Sequence, residues 1–485
     1  MSNSIDLEKL LVLSGKSLRF ALQVMDANAQ GIVFVVEENR QVAGVLTDGD
    51  VRRFLIGGGD LDIVVNEVMI TQFVSLPATA EIEDIQKRLS DKIRHIPLLD
   101  EKGRVVDCAT RTRLRRIPVM EPQLGGNELN YVTACVKTSW ISSQGKFVRE
   151  FEEMLAAFTG MPYALATSNG TVALHLALVA LGIGEGDEVI VPDLTFAASI
   201  NAIIYAGATP VLIDVNKDDW NIDVSKIEKL ITPKTKAIMP VHLYGYPAEM
   251  DSIMAIAEKH NLLVVEDAAE ALGSEWKGKR VGSYGHAATY SFFGNKTITT
   301  GEGGMVLFRD QDVYEHAKVL RDHGMAKGKR YWHEYVGFNY RMTNLQAAIG
   351  VAQMERVDEI LEKKMWLGAT YNQAFNNVAG LITPPSSPHA KDTFWLYTLR
   401  LEEEANRDDI MGKLMANGIE TRPVFFPLHE MPPYQAYNKG SYPNASQISL
   451  KGISLPSATT LKQEDINHIT SSLNTLLGTK ALLEG

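Results

Sequence analysis

Tyr290-Ser-Phe-Phe-Gly-Asn-Lys-Thr-Ile-Thr-Thr-Gly-Glu-Gly-Gly-Met305 is a strand ending that runs into a turn of glycines and hydroxyl residues around one lysine, Lys296. Residues 287–293 carry the strand. Gly294, Gly301, Gly303 and Gly304 let the backbone fold tightly where a side chain would obstruct a ligand. A lysine held among small and apolar neighbours is easily desolvated. Its pKa then falls, and it becomes an amine nucleophile or a general base. Taken alone, the same lysine reads first as a solvated turn residue, because lysine is mostly exposed. The flanking segments decide between the two.

Upstream, β-branched runs alternate with helical stretches, which predicts an α/β domain with a mostly parallel sheet flanked by helices. Candidate strands cover residues 188–191, 209–215, 236–241, 262–266, 287–293 and 305–308. Ligands of such sheets gather at the carboxyl ends of the strands, and the chemically capable residues fall there. Thr167-Ser168-Asn169-Gly170-Thr171 opens an apolar helix over 172–181, so free N–H groups at the positive end of a dipole offer a phosphate site. An ordinary helix cap is the plainer alternative. Asp267 follows the strand 262–266, where its carboxylate can pair with a protonated ring nitrogen or cap the next helix. Phe196 offers a flat face for a ring or belongs to the core. A phosphate cradle, an aromatic face, an acid for a pyridinium nitrogen and a lysine for an aldehyde are together what a protein contributes to a pyridoxal 5'-phosphate (PLP) site.

The chain has 485 residues, which predicts two to four domains at roughly 150 residues each. With 45% apolar and 22% charged residues it can bury ordinary cores. The net charge of −11 argues against general affinity for nucleic acid or anionic membrane. Two cysteines, Cys108 and Cys135, without Cys-x-x-Cys or Cys/His clustering, exclude a disulfide framework and a zinc site of the usual type. The start of the chain lacks the basic and apolar regions of a signal peptide, and the apolar stretch 171–183 is shorter than the ~20 residues of a membrane span. A soluble cytoplasmic protein is expected.

Residues 1–118 read as a separate module of two similar units. Residues 31–37, the turn Asn39-Arg40 and residues 41–46 form a strand pair that leads into Thr47-Asp48-Gly49-Asp50. Residues 95–99, the turn 100–103 and residues 104–109 repeat the plan before Thr110-Arg111-Thr112-Arg113. The repeat resembles a pair of CBS domains. In that family a Gly-x-x-Thr-x-x-Asp ending contacts ribose and phosphate, matched here by Gly44, Thr47 and Asp50. The second copy carries Arg113 where the acid stands, so one nucleotide site is expected. The alternative is an oligomerisation module in which Thr47 only caps a helix. Arg111, Arg113, Arg115 and Arg116 form a basic run that reads as a solvated or salt-bridged face.

Four further runs carry a second resemblance: Glu121-Pro122-x-Leu124-Gly125-Gly126-Asn127-Glu128, Trp140-Ile141-Ser142-Ser143-x-Gly145, Glu266-Asp267-Ala268-Ala269-Glu270-Ala271 and Gly337-Phe338-Asn339-Tyr340-Arg341-Met342. From Ile117 onward the chain is similar to the DegT/DnrJ/EryC1/StrS sugar aminotransferases, a family of fold-type I PLP enzymes. The resemblance implies a seven-stranded, mostly parallel sheet domain over 119–365 and a small α+β domain over 366–485. It implies that Lys296 bonds to the cofactor aldehyde and shuttles a proton, and that Asp267 pairs with the pyridine nitrogen. Glu270 would approach the phenolic oxygen, where many relatives carry glutamine. Gly170, Thr171 and Ser291 would hold the phosphate, and Asn339 would reach the phosphate of a neighbouring subunit, implying at least a homodimer with shared sites. Relatives with histidine in place of the lysine remove a hydroxyl; Lys296 favours amine transfer.

Beyond residue 350, residues 353–377 have helical period, 384–389 form a loop, 394–401 a strand and 408–416 a helix. Trp140, Arg422 and His429 are candidate substrate contacts, the last two in proline-fixed loops; a hydrogen-bonded loop role is the alternative for Arg422 and His429. The lysine run, Tyr331-Trp332-His333 and residues 421–429 look most like the family branch that aminates C4 of GDP-4-keto-6-deoxymannose with L-glutamate to give GDP-perosamine. A UDP- or dTDP-linked keto-sugar remains the alternative substrate. A nucleotide-sensing regulator with an idle aminotransferase body is the alternative of another class.

Overall fold

A computed structural model describes residues 7–80, 82–110, 117–326, 328–376, 378–402 and 406–478. The basic run 111–116 lies outside them. The chain divides into two compact units, Met1–Arg116 and Ile117–Gly485. Ile117 belongs to the second: its N–H donates to Gly418 O (2.8 Å), its carbonyl accepts from Glu420 N (3.0 Å), and its side chain is buried.

The first unit is two copies of one plan. Strand Leu11–Leu13 pairs in parallel with Ile32–Val36, which pairs antiparallel with Val42–Thr47. Leu76–Pro77, His95–Leu99 and Val105–Thr110 repeat that order. The copies share a core in which Ile32, Phe34, Val36 and Val45 pack with Val105 and Cys108. Thr47 does cap the helix Asp48–Ile56, in a capping box with Asp50. Asp50 Oδ2 accepts from Thr47 N (3.0 Å) and Oγ1 (2.6 Å), and its Oδ1 accepts from Arg53 Nη2 (2.5 Å).

In the second unit seven strands form one sheet among the described residues: β1 Tyr163–Thr167, β2 Glu188–Pro192, β3 Thr209–Ile213, β4 Thr235–Ile238, β5 Leu263–Asp267, β6 Ala287–Ser291 and β7 Gly304–Phe308. Their order is β1-β7-β6-β5-β4-β2-β3, parallel except for β7. Parallel neighbours need a crossover of a dozen or more residues, usually through a helix; an antiparallel pair needs only a loop. That is why the lysine segment is a loop: residues 292–303 join β6 directly to the antiparallel β7. β6 ends at Ser291, two residues earlier than its apolar run predicts. β1 went unforeseen because Tyr-Ala-Leu-Ala-Thr lacks the β-branched signature of its neighbours.

Helix α1, Gly170–Ala180, is apolar on all sides and packs against the sheet and helix Ala198–Tyr205, with Leu174, Leu176 and Leu178 at most 2% exposed. Each such leucine contributes on the order of 1.5–3 kcal/mol by leaving water. The helical period over 353–377 resolves into two helices, α2 Asn344–Met354 and α3 Val357–Ala374. The break lies at Glu355-Arg356, and a hydrophobic period that runs on across it cannot show it. α3 bridges two cores: Val357, Ile360 and Leu361 pack with β6 and β7, whereas Leu367 and Tyr371 pack with a smaller antiparallel sheet. That sheet orders Leu381–Ile382, Tyr397–Leu401, Gly452–Leu455 and Arg422–Pro423. Among the described residues no helix is long and apolar enough to cross a membrane.

Candidate active site

The carboxyl ends of β1, β2, β5 and β6 and the start of β7 meet along one edge of the sheet. Gly304 pairs with both Ser291 and Thr167 there. A Cβ on Gly304 would lie 2.3 Å from Asn169 O, so only glycine lets β7 pass behind the start of α1. Asn169 caps α1 by accepting from Val172 N (3.0 Å). The first-turn N–H groups of Gly170 and Thr171 have no acceptor within the helix and lie at its positive end. Gly170 faces Ser291: a Cβ on it would stand 2.9 Å from Ser291 Cβ.

Lys296 rises from the β6–β7 loop with its side chain only 13% exposed, 3.5 Å from Glu270 Oε1. Burial depresses its pKa, against the opposing pull of Glu270 and Asp267. Burial likewise raises the Glu270 carboxyl to about 7, although Lys296 and the N–H of Tyr244 (2.9 Å) favour its charged form. Tyr244 holds that N–H in place with a left-handed backbone, φ 55°. Asp267, the last residue of β5, is 5% exposed. Its Oδ2 accepts from Ser199 Oγ (2.7 Å), which shares a hydrogen bond with Thr195 Oγ1 (3.0 Å), and its Oδ1 accepts from Ala269 N (3.2 Å). Asp267 therefore ends a strand and does not open a helix. Behind it Glu266 is fully buried and accepts from His242 Nε2 and the N–H groups of Gly282, Tyr284 and Gly285. Burial alone would raise its pKa; the histidine and the amides together hold it low.

The other expected residues are distributed more widely. Phe196 follows Thr195, is 59% exposed and tilts against Phe425. Much of its ring is thus open to solvent, one residue after Thr195 of the Asp267 network. Asn339 is exposed and accepts from Arg341 Nη2 (3.3 Å), while its neighbour Tyr340 O accepts from Ser168 N. Trp140 is exposed and lines a surface pocket with Cys135 and Phe147. Arg422 is exposed 3.5 Å from Glu420. His429 is tied to the buried Asp193, Nδ1 to Oδ2 at 2.6 Å and its N–H to Oδ1 at 2.8 Å, a hydrogen-bonded loop position. Lys296, Glu270 and Asp267 cluster; Gly170, Thr171 and Ser291 form a second group along the same edge. Ser199, Tyr244 and Trp395, whose ring lies under Lys296, were not foreseen, because each acts on an expected residue through a fold contact that leaves no local pattern.

This arrangement fits PLP. It offers a desolvated amine, an anchored carboxylate at a strand end, and amide donors at a helix start beside a serine. Next to Lys296, Asn295 Oδ1 is buried with no hydrogen-bond partner among the described residues.

Fold and site define a PLP-dependent sugar aminotransferase. Residues 122–474 match the DegT/DnrJ/EryC1/StrS aminotransferase family, to which the chain belongs, and residues 10–57 and 65–120 match the CBS domain. The chain is 50% identical over 367 residues to the GDP-perosamine synthase of Caulobacter vibrioides, covering 75% of this chain and 99% of that protein. With the GDP-perosamine synthase of Escherichia coli O157:H7 it shares 46% over 362 residues, 74% of this chain and 98% of that one. Among solved structures, S. venezuelae DesV superposes with a TM-score of 0.69 at 33% identity, over 72% of this chain and 94% of that chain. A putative sugar aminotransferase of Streptococcus pneumoniae in its PLP form gives 0.71 at 29% identity, over 74% and 98%.

Glu270 supplies a pH test. Below about pH 7 it takes up a proton and Lys296 loses its counter-charge. In Glu270→Gln the hydrogen bond from Tyr244 N survives, so turnover at pH 8 should stay within about tenfold of the parent. The acid limb of the rate profile with its inflection near 7 should vanish. An unchanged inflection assigns that titration to another group.

Proposed function

We propose that the chain transfers the amino group of L-glutamate to C4 of GDP-4-keto-6-deoxymannose, forming GDP-perosamine for a surface polysaccharide. The observation that carries this reading is the clustering of a desolvated Lys296 with Glu270 and Asp267. The likeness to whole GDP-perosamine synthases supports the choice of sugar. PLP, when bound, supplies an aldehyde that accepts the amino group and a ring that acidifies the donor's α-carbon. Lys296 Nζ holds the cofactor and, as a free amine, carries the proton to and from that carbon. Asp267, its second oxygen fixed by Ser199, keeps a proton on the ring nitrogen. Gly170, Thr171 and Ser291 would hold the phosphate, Phe196 would cover the ring, and Glu270 would approach its phenolic oxygen.

Trp140, Arg422 and His429 contact the nucleotide-sugar, and Asn339 completes the site of a second subunit in a cytoplasmic homodimer. A panel of GDP-, UDP- and dTDP-linked 4-keto-6-deoxy sugars with glutamate tests the substrate. The GDP-mannose derivative should lead, and preference for another base overturns the reading.

In the N-terminal unit, Thr47 and Asp50 together with the Gly44 backbone bind a purine nucleotide that adjusts the rate. A chain beginning at Ile117 keeps its pairing with Gly418 and Glu420, so it should fold and turn over substrate. Adenine and guanine nucleotides should change the rate of the full chain and leave the shortened chain unaffected. Equal indifference of both would sink the regulatory role.

A further inference from the structure

We propose that the indole face of Trp395 is the docking place of the Lys296 amine whenever that amine is not bonded to the cofactor, and that Lys364 is the positioning residue that fixes Trp395 there. The proposal rests on the reading of Lys296 given above. Amine transfer requires the lysine to leave the cofactor, wait close by, and return. A freed ammonium in a dry site needs a partner in that interval. Lys296 Nζ lies 3.7 Å from the centroid of the Trp395 ring, well inside the range in which a cation is drawn to an aromatic face. Glu270 Oε1 stands 3.5 Å away as its counter-charge.

Trp395 is held from every side. Its Nε1 donates to Asn295 O (2.7 Å), one residue before the lysine. Tyr244 stacks parallel to it, centroids 6.1 Å apart and planes 11° apart. Its carbonyl accepts from Lys364 Nζ (2.9 Å), which also donates to Ser457 O (2.5 Å). Lys364 is 0% exposed on α3, and burial brings its pKa down to about 7, with Asp392 pulling upward. A methionine would fill that position without desolvating an amine. What the lysine adds is a donor for two carbonyls, one of them Trp395's. Phe394 just before takes a left-handed φ of 49°, with its N–H on Asp392 Oδ1 (2.6 Å), so the turn presenting Trp395 is strained and has to be held.

The test uses full-length holoenzyme loaded with amine by excess glutamate, so that Lys296 is free. Its labelling by an amine-directed reagent is followed against pH by peptide mass spectrometry. The ring stabilises the ammonium, so Trp395→Leu should lower the Lys296 pKa further and raise labelling at a fixed pH about tenfold. Trp395→Phe, which keeps a weaker face, should raise it about threefold. Lys364→Met should act in the same direction, and the Trp395→Leu/Lys364→Met double variant should not exceed Trp395→Leu alone. Unchanged labelling in both Trp395 variants alongside a lower melting temperature overturns the docking role. Additive effects overturn the positioning role of Lys364. Loss of the yellow colour on adding glutamate, and borohydride fixation of the cofactor, report separately on the functional reading. If the cofactor is fixed to another residue, that reading falls and this proposal with it.

Discussion

Lys296→Ala should lose keto-sugar turnover by at least about 10⁴-fold, the combined scale of a lost nucleophile and a lost proton carrier. It should also no longer retain the cofactor after borohydride treatment. The two readouts are independent, and both follow from one side chain. The amine lies in a largely buried position facing Glu270, and burial brings its pKa down from the ordinary lysine range, which favours the free base the chemistry needs. Alanine leaves the loop intact, because the turn is set by backbone: Lys296 N donates to Phe293 O (2.9 Å) and Thr300 N to Phe292 O (2.9 Å). The fold should therefore survive, and a melting temperature within a few degrees of the parent would show it. Lys296→Arg keeps charge but cannot be deprotonated, so it should be as inactive as alanine. Substantial turnover in either variant refutes the assignment of Lys296.

The sequence made the main parts of this site legible because each lies at a strand or helix end with its own local signature. Asp267 follows a β-branched run, Gly170 and Thr171 follow an Asn cap, and Lys296 follows the apolar run of β6. The sheet was legible where strands are rich in valine and isoleucine. It was not at β1, whose alanines satisfy an edge strand packed under the amphipathic helix Lys146–Thr159 but carry no β signal. What stayed hidden are residues whose importance is relational. Ser199 is an unremarkable helix serine until the fold brings it, 68 residues away, to Asp267. Tyr244 and Trp395 meet Glu270 and Lys296 only because the segments 243–246 and 392–396 pack against each other. His429 was legible as a fixed loop residue; its partner Asp193 was not.

Asp267→Asn should cut turnover by about 10²- to 10⁴-fold, the range for a misassigned proton at a reacting centre. Asparagine keeps the shape. If its carbonyl oxygen accepts from Ser199 Oγ, its amide nitrogen stands where Oδ1 now accepts from Ala269 N, donor against donor. In either orientation the side chain is neutral and cannot hold a proton on a ring nitrogen by charge. The electrostatic consequence has a definite sign elsewhere in the site. The Asp267 charge raises the pKa of Glu270 and opposes the depression of Lys296. Its removal should therefore shift both titrations downward, moving the acid limb of the rate profile below about pH 7. Ser199→Ala, which removes one hydrogen bond and leaves the charge, should cost only about tenfold and leave that limb in place. If Asp267→Asn and Ser199→Ala behave alike, the carboxylate serves packing rather than the cofactor ring. If Asp267→Asn retains near-parent turnover with an unmoved pH profile, the acid that governs the ring lies elsewhere.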